Sequence, residues 1–227
     1  MTRSRFALCS HHSAEGAGSE LIIEFAGPSC SGKSTLVRRL EQELHDQGLA
    51  PLRVKAWRTE HTELLRAVVR PRVMAWCLLN PRLVPGFAAR QLLGAMALTH
   101  RLRRGEGLVL LDEGPVKLHK RRSLRKARGE SLLWSAMPAP DVLVIVTCDP
   151  EVRLTRLRRE DRPHARGLSD QDVLTDVTGD HFAHRFAAAR QVPLVEIDTS
   201  SGQDAFPTMY EQLRPFLAGP ATRPLAQ

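Results

Sequence analysis

The sequence predicts an α/β protein of three layers, in which helices cover both faces of a five-stranded parallel sheet. Two observations predict this class. Short apolar runs of the kind found in buried strands alternate with stretches of helical spacing along most of the 227 residues. Two of these runs are apolar without interruption, as strands covered on both faces should be.

Five strands are expected. The first is Leu21–Ala26, a short apolar run. The second, at 51–57, alternates apolar with polar residues, which indicates that one of its faces is less covered. The runs at 107–112 and 141–147 are continuously apolar and are expected at the centre of the sheet. The last strand is expected at 193–198.

Helical spacing of apolar residues predicts the connecting helices. They are expected at 34–47, in two stretches between 60 and 104, at 151–159, at 170–190 and at 204–217. The segment at about 60–104 is interpreted as a helical lobe inserted into a single domain that spans 21–217. A disordered leader at 1–20 and a frayed tail at 218–227 are expected to flank this domain.

The loop between the first strand and the first helix carries the strongest motif. Residues 27–35 contain the pattern G-x-x-x-x-G-K-[ST], which in a strand–loop–helix context binds nucleotide phosphates through backbone N–H groups. Lys33 is expected to reach the β- and γ-phosphates, and Ser34 to ligate Mg²⁺, so the predicted cofactors are ATP and Mg²⁺. The predicted nucleotide-binding residues of the loop are Gly27, Pro28, Ser29, Cys30, Ser31, Gly32, Lys33, Ser34 and Thr35.

Two adjacent acids, Asp112 and Glu113, end the strand at 107–112. An acid at this place can ligate Mg²⁺ or accept a proton from an attacking hydroxyl. Since neighbouring strand residues point to opposite faces, Asp112 is expected at the metal and Glu113 toward the acceptor. The alternative is that one of the two only caps the next helix.

A basic lid is expected at about 153–168. Arg156, Arg159 and Arg162 belong to this segment and are expected to close over the triphosphate, where they would stabilise charge on the transferred phosphoryl group. A solvated basic helix face is the alternative interpretation.

The basic surplus of the chain lies in its middle third. The net charge is +8, and residues 53–128 carry 18 basic and five acidic side chains. Such a surplus suits a polyanionic ligand, an anionic surface or a solvated face. The run 117–128 has seven basic residues and no acid, but it lacks the interleaved aromatic residues of a single-strand platform, which disfavours nucleic acid as a partner.

Composition disfavours two classes of protein: one that spans a membrane and one that holds a metal through paired cysteines. No apolar run reaches the roughly 18–20 residues that a membrane-spanning helix needs. The four cysteines have no paired metal spacing, so reduced thiols and a cytoplasmic location are expected.

Together these motifs resemble those of the thymidylate kinase and deoxynucleoside kinase group of P-loop kinases, over most of residues 21–217. The resemblance implies the strand order 2-3-1-4-5, transfer of the γ-phosphoryl group of Mg-ATP to a small acceptor, and a homodimer formed through the lobe helices. It also implies acceptor contacts from the Arg58-Thr59-Glu60 segment and a place beside the adenine for three further residues. The residues implied are Arg58, Glu60, Asp198, Thr199 and Ser200.

The acceptor stays open among alternatives. Glu113 stands where thymidylate kinases place an Arg that contacts the acceptor phosphate. A nucleoside or nucleoside monophosphate is the leading class, followed by the hydroxyl of a sugar or specialised metabolite. A different class of function is a non-kinase ATPase or nucleotide switch, whose basic middle third would bind a polyanionic partner.

Overall fold

The computed structural model describes residues 21–55, 68, 70–103, 107–119, 128–159, 170–171 and 179–218. Five parallel strands form one sheet in the order β2-β3-β1-β4-β5. The strands are β1 (Leu21–Ala26), β2 (Leu52–Val54), β3 (Leu108–Asp112), β4 (Val142–Thr147) and β5 (Leu194–Asp198). The predicted fold class and the predicted strand order are both confirmed.

The described helices cover both faces of this sheet. They are α1 (Lys33–Asp46), α2 (Pro71–Leu79), α3 (Phe87–Leu102), α4 (Pro115–His119), α5 (Glu130–Ala136), α6 (Pro150–Arg159), α7 (Gly179–Arg190) and α8 (Phe206–Leu217). Three of them, α1, α6 and α8, begin and end within two residues of the predicted bounds. The helix predicted at 170–190 is observed as α7, and residues 172–178 lie outside the described part. The short helices α4 and α5 were not predicted.

One face of the sheet packs against α1 and α8. Ile23 and Phe25 of β1 are fully buried there, together with Leu40 of α1 and Leu213 of α8. The alternation of β1 sends these residues to one side, because successive strand side chains point to opposite faces.

The lobe helices α2 and α3 pack on the other face. Trp76 of α2 and Leu92 of α3 are fully buried in a cluster that includes Ile145 of β4. Asn80 follows α2, and its side-chain nitrogen donates to the backbone oxygens of Trp76 and Arg128, both at 2.9 Å. The lobe is therefore part of the main core.

The edge strand β2 differs from the prediction in length. It spans three residues and pairs only with β3, and Leu52 is 53% exposed. The alternation of apolar and polar residues at 51–57 therefore corresponds to a strand at the edge of the sheet. Among the described residues no helix has the length and apolar character needed to cross a bilayer.

Candidate active site

The loop after β1 turns tightly at the carboxyl end of the sheet. A Cβ atom on Gly27 would lie 2.2 Å from the backbone oxygen of Val146 in β4, and φ of Gly27 is +140°. Only glycine fits at this point, because it has no Cβ and tolerates a positive φ. A loop of this kind, ahead of a helix N-terminus, forms a cradle in which backbone N–H groups bind anions.

The side chain of Lys33 folds back into this loop. Lys33 is only 5% exposed. Its Nζ donates to the backbone oxygen of Pro28 and lies 3.4 Å from Oγ of Ser31. The loop therefore holds a buried positive charge at the N-terminus of α1, where a bound phosphate would meet it. The contact of Lys33 with β- and γ-phosphates stays a prediction.

Asp112 lies directly beside the first turn of α1. It is in register with Phe25 of β1, so the pairing of β3 with β1 brings its carboxylate next to the loop. Oγ of Ser34 donates to Oδ2 of Asp112 at 3.1 Å. The structure thus brings together the two predicted metal ligands, which are separated by 78 residues in sequence.

Two basic side chains at β2 surround the carboxylate of Asp112. Nη2 of Arg53 lies 3.1 Å and Nζ of Lys55 3.6 Å from its Oδ2. Burial alone would raise the pKa of Asp112. The hydrogen bond from Arg53, the charges of Lys55 and Lys117 and the bond from Ser34 outweigh burial and hold this pKa below its ordinary value. Asp112 is therefore ionised at neutral pH.

Sequence reasoning missed Arg53 and Lys55. Their i, i+2 spacing puts them on one face of an extended strand, which is a signal for a shared role. That these two side chains meet Asp112 follows only from the pairing of β2 with β3, in which Val54 aligns with Leu111, the residue before Asp112.

Glu113 leaves β3 in a backbone conformation that is uncommon for a residue with a side chain. Its φ is +81°, and residues held in this region cluster at functional sites. Its carboxylate forms an ion pair with Nζ of Lys117 in α4. Asp112 contacts Ser34, Arg53 and Lys55, whereas Glu113 pairs with Lys117. The division of roles between the two acids stays a prediction.

A third carboxylate, that of Glu24, is fully buried in β1. Its Oε1 accepts hydrogen bonds from the backbone N–H groups of Val116 at 2.8 Å and Lys117 at 3.2 Å. Its Oε2 has no hydrogen-bond partner among the described residues. Burial raises the pKa of Glu24 to about 8, although the two backbone bonds act in the opposite direction. Glu24 therefore holds a proton at neutral pH.

Glu24 also accounts for two neighbouring features. The alternative that Asp112 or Glu113 caps the next helix is not observed, since Glu24 binds the first N–H groups of α4. A Cβ atom on Gly114 would lie 2.4 Å from Cδ of Glu24. The glycine after Asp112-Glu113 is therefore required by the buried carboxyl group.

The arginines of α6 occupy three different environments. Arg153 is 1% exposed, and its Nε donates to the backbone oxygen of Ser29 in the loop at 3.0 Å. Arg156 donates to the backbone oxygen of Thr199 at 2.7 Å and to its Oγ1 at 3.2 Å. Arg159 is exposed and does not line the cavity described below.

The segment after β5 contributes Thr199. Its Oγ1 donates to the backbone oxygen of Ser31 at 2.8 Å, which ties the end of β5 to the loop. Asp198 and Ser200, on either side of Thr199, bind each other: Oγ of Ser200 donates to Oδ1 of Asp198 at 2.5 Å. Of the three residues implied to lie beside the adenine, only Thr199 lines the cavity.

These residues enclose a cavity of about 410 Å³, which we call the carboxyl-end cavity. Its wall is formed by residues 29–36, Arg39, Glu113, Lys117, Arg156, Thr199 and 202–205. Four of these lining residues are basic and two, Glu113 and Asp204, are acidic. The excess of positive charge suits a phosphate chain.

Three predicted site residues lie outside the described part of the chain. They are Arg58, Glu60 and Arg162. The same holds for the end of the predicted lid, residues 160–168, for the leader and for residues 219–227 of the tail.

Comparisons with known proteins place the fold. No protein-family model and no curated protein sequence matches the chain. Among solved structures it is similar to that of deoxyadenosine kinase from M. mycoides with bound dATP, with a TM-score of 0.51 and 12% identity over 88% of this chain and 100% of that chain. The fold of this chain is similar to that of this kinase. At this identity the likeness concerns the fold alone.

Proposed function

We propose that the protein is an ATP-dependent phosphotransferase that moves the γ-phosphoryl group of Mg-ATP to a small acceptor, with a nucleoside or nucleoside monophosphate as the leading class. One observation carries the proposal. The hydroxyl of Ser34 and the ionised carboxylate of Asp112 meet at 3.1 Å beside a buried Lys33. Phosphoryl transfer requires mainly alignment of the reactants and neutralisation of charge, and these groups supply both.

The residues present fit Mg²⁺. Magnesium in kinases is held by one or two protein oxygen ligands together with phosphate oxygens, and Ser34 and Asp112 offer such ligands. Because the pKa of Asp112 is lowered, its carboxylate is available as a ligand at neutral pH. When bound, the ion neutralises charge that develops on the phosphate oxygens. Lys33 and the loop amides would hold the phosphate chain itself.

Glu113 is proposed as the general base or acceptor contact. In the first role, which applies to a hydroxyl acceptor, its carboxylate takes the proton of that hydroxyl, while the new bond forms from the hydroxyl oxygen to the γ-phosphorus and the bond from the γ-phosphorus to the leaving ADP oxygen breaks. The location of Glu113 on the cavity wall, beside Lys117, supports this role. With a monophosphate acceptor a phosphate oxygen attacks, and Glu113 has the second role.

The arginines are proposed to stabilise the phosphoryl group in transfer. Arg156 already lines the cavity. Arg159 and Arg162 are proposed to join it when the lid segment closes, and Arg58 and Glu60 to contact the acceptor; these four assignments rest on the sequence resemblance.

The basic groups near the carboxylates favour a phosphorylated acceptor. Arg53, Lys55 and Lys117 all act on Asp112 or Glu113. This cluster offers cationic partners for an acceptor phosphate, although the Arg that thymidylate kinases place after the third-strand Asp is replaced by Glu113. We therefore rank nucleoside monophosphates above nucleosides as acceptors.

The test is ADP formation by the purified protein with Mg-ATP in the presence of single acceptors. The panel contains thymidine and deoxyadenosine, their monophosphates, simple sugars and aminoglycosides, and Lys33→Ala is the blank. Stimulation by one monophosphate, absent in the blank, is expected. Stimulation by a sugar or aminoglycoside alone would replace the acceptor class. Turnover that rises only with nucleic acid or another polyanion would replace the kinase by a nucleotide switch.

A further inference from the structure

A second cleft, of about 910 Å³, lies at the amino end of the sheet. We call it the amino-end cleft. The start of α2, the end of α3, the segment after α5, residue 141 before β4 and the end of α7 form its walls. Its charged and titratable lining residues are Arg70, Arg72, His100, Arg103, Asp141 and Arg190. None of the residues discussed for phosphoryl transfer belongs to it.

The amino-end cleft has a larger charge imbalance than the carboxyl-end cavity. Among the described residues, its lining contains four arginines and one carboxylate, whereas the lining of the cavity contains four basic and two acidic residues. Clefts lined by one sign of charge concentrate field lines and attract ligands of the opposite sign.

The single carboxylate is already occupied by contacts within the fold. Oδ2 of Asp141 accepts the backbone N–H of Ile22 at 2.7 Å, which fixes the start of β1 to the start of β4. Its Oδ1 lies 3.4 Å from Nη2 of Arg103. Asp141 therefore offsets at most one of the four guanidinium charges.

A backbone oxygen and a histidine ring position two of the other arginines. Nη1 of Arg190 donates to the backbone oxygen of Trp134 at 2.5 Å, and Nη1 of Arg70 contacts Nε2 of His100. Arg72 is exposed and has no carboxylate partner among the described residues. A carbonyl oxygen can position the guanidinium group of Arg190 but carries no opposite charge. The charges of Arg72 and Arg190 thus have no carboxylate partner in the described part of the chain.

The N-terminus of α2 adds to this field. Helix α2 begins at Pro71, and no side chain caps it. The first N–H groups of a helix and its dipole both favour an anion nearby. Arg70, Pro71 and Arg72 line the cleft, so this helix end faces the same region as the guanidinium groups.

We propose that the amino-end cleft binds a small, multiply charged phosphate compound. Guanidinium groups bind phosphate oxygens in a bidentate manner, and two phosphate charges would balance those of Arg72 and Arg190. The described lining residues include no Phe, Tyr or Trp, so recognition rests on the phosphates and not on stacking of a base on one of these rings. This assignment is independent of the proposed phosphotransferase activity.

The experiment is titration calorimetry with sodium pyrophosphate. Lys33→Ala serves as the background, since it weakens anion binding at the loop, and Arg72→Ala/Arg190→Ala is introduced into it. A matched control is Arg82→Ala/Arg90→Ala, because both of these arginines are exposed and line neither cleft nor cavity. The expected result is an affinity at least about tenfold lower for the cleft variant and within about twofold for the control.

Three results would overturn the proposal. The first is pyrophosphate binding that Arg72→Ala/Arg190→Ala leaves unchanged while the variant melts at the wild-type temperature. The second is equal loss in the control variant, which would indicate a diffuse surface effect. The third is tighter binding of a 20-nucleotide single strand than of pyrophosphate through the same two arginines, which would make the cleft a nucleic-acid surface. A cleft variant that unfolds is replaced by Arg72→Gln and Arg190→Gln, tested one at a time.

Discussion

The carboxyl-end cavity and the amino-end cleft each gather four basic residues, but they differ in their carboxylates. At the carboxyl end, Asp112 and Glu113 are paired with Arg53, Lys55 and Lys117, so charges of both signs meet where bonds can change. At the amino end one carboxylate is committed to a backbone N–H group. The first arrangement suits chemistry on an anion and the second suits binding of an anion. Of the basic residues at 53–128, Arg53, Lys55 and Lys117 lie at the carboxyl end, and Arg70, Arg72 and Arg103 line the amino-end cleft.

Lys33→Ala is expected to have the largest effect. It should lower activity at the carboxyl end of the sheet and leave anion binding at the amino end unchanged. Acceptor-dependent ADP formation should fall by on the order of 10³-fold, because the buried charge that is proposed to contact the phosphates is removed. Pyrophosphate binding that depends on Arg72 and Arg190 should change by less than about twofold. Calorimetry and ADP release on the same preparations check both. Loss of both properties at an unchanged melting temperature would contradict the separation of the two sites.

Next in size is the effect of Gly114→Ala on stability. The added Cβ would meet the carboxyl group of Glu24 at 2.4 Å, so the free energy of unfolding should fall by about 3 kcal/mol. Gly48→Ala is the control: its Cβ would meet nothing within 4 Å, and its φ of +77° should cost only about 1 kcal/mol.

The same substitution in a Glu24→Ala background sharpens this test. There Gly114→Ala should cost less than half as much, because the opposing carboxyl group is gone. Urea denaturation of the four variants gives the coupling. Equal costs in both backgrounds would show that Glu24 and Gly114 are not matched to each other.

A smaller, pH-dependent effect is expected for Glu24→Gln. The folded pKa of Glu24 is about 8 and the reference value is 4.5, so between these pH values the folded protein binds a proton that the unfolded chain has lost. Stability from this group is complete below pH 4.5 and is lost as the pH rises to about 8. The Gln variant lacks this loss. The free energy of unfolding of the variant, relative to that of wild type, should therefore increase by up to about 1.4 kcal/mol per pH unit in that window.

Denaturant unfolding at several pH values from 4.5 to 8 measures this difference. A constant difference between wild type and Glu24→Gln across the range would mean that Glu24 is ionised in the folded protein. The comparison also separates the two ends of the sheet, because Arg72→Ala/Arg190→Ala should show no such slope relative to wild type.

The smallest effects separate Arg156 from Arg159. Arg156→Ala should weaken ATP binding by about tenfold, because this side chain lines the cavity and holds Thr199 through two hydrogen bonds. Arg159→Ala should change ATP affinity by less than about twofold, since Arg159 is exposed in the structure. Titration with a fluorescent ATP analogue checks both. Equal losses would mean that the two arginines already act together in the free protein.

The parts of the fold that were predicted depend on local patterns. The phosphate loop is a contiguous motif between a strand and a helix, and β3 and β4 are uninterrupted apolar runs. Helices α4 and α5 were missed because they have five and seven residues, too few to show a helical period.

The parts of the site that were missed depend on pairing between distant segments. Arg53 is separated from Asp112 by 59 residues, and only the β2–β3 register brings them together. Glu24 has no signal in an apolar strand, because its role follows from the position of α4, 92 residues further on. The amino-end cleft likewise joins Arg72 with Arg190 across most of the domain. Functional residues that come together only in the folded structure have no characteristic spacing in the sequence.

The central claim is transfer of a phosphoryl group at the carboxyl end, and γ-labelled ATP tests it most directly. Wild type, Lys33→Ala and Arg72→Ala/Arg190→Ala are incubated with the stimulating acceptor, and labelled acceptor is separated from labelled inorganic phosphate. The account predicts labelled acceptor with wild type and with the cleft variant, and none with Lys33→Ala. Label found only as inorganic phosphate, or transfer that persists in Lys33→Ala, would contradict it.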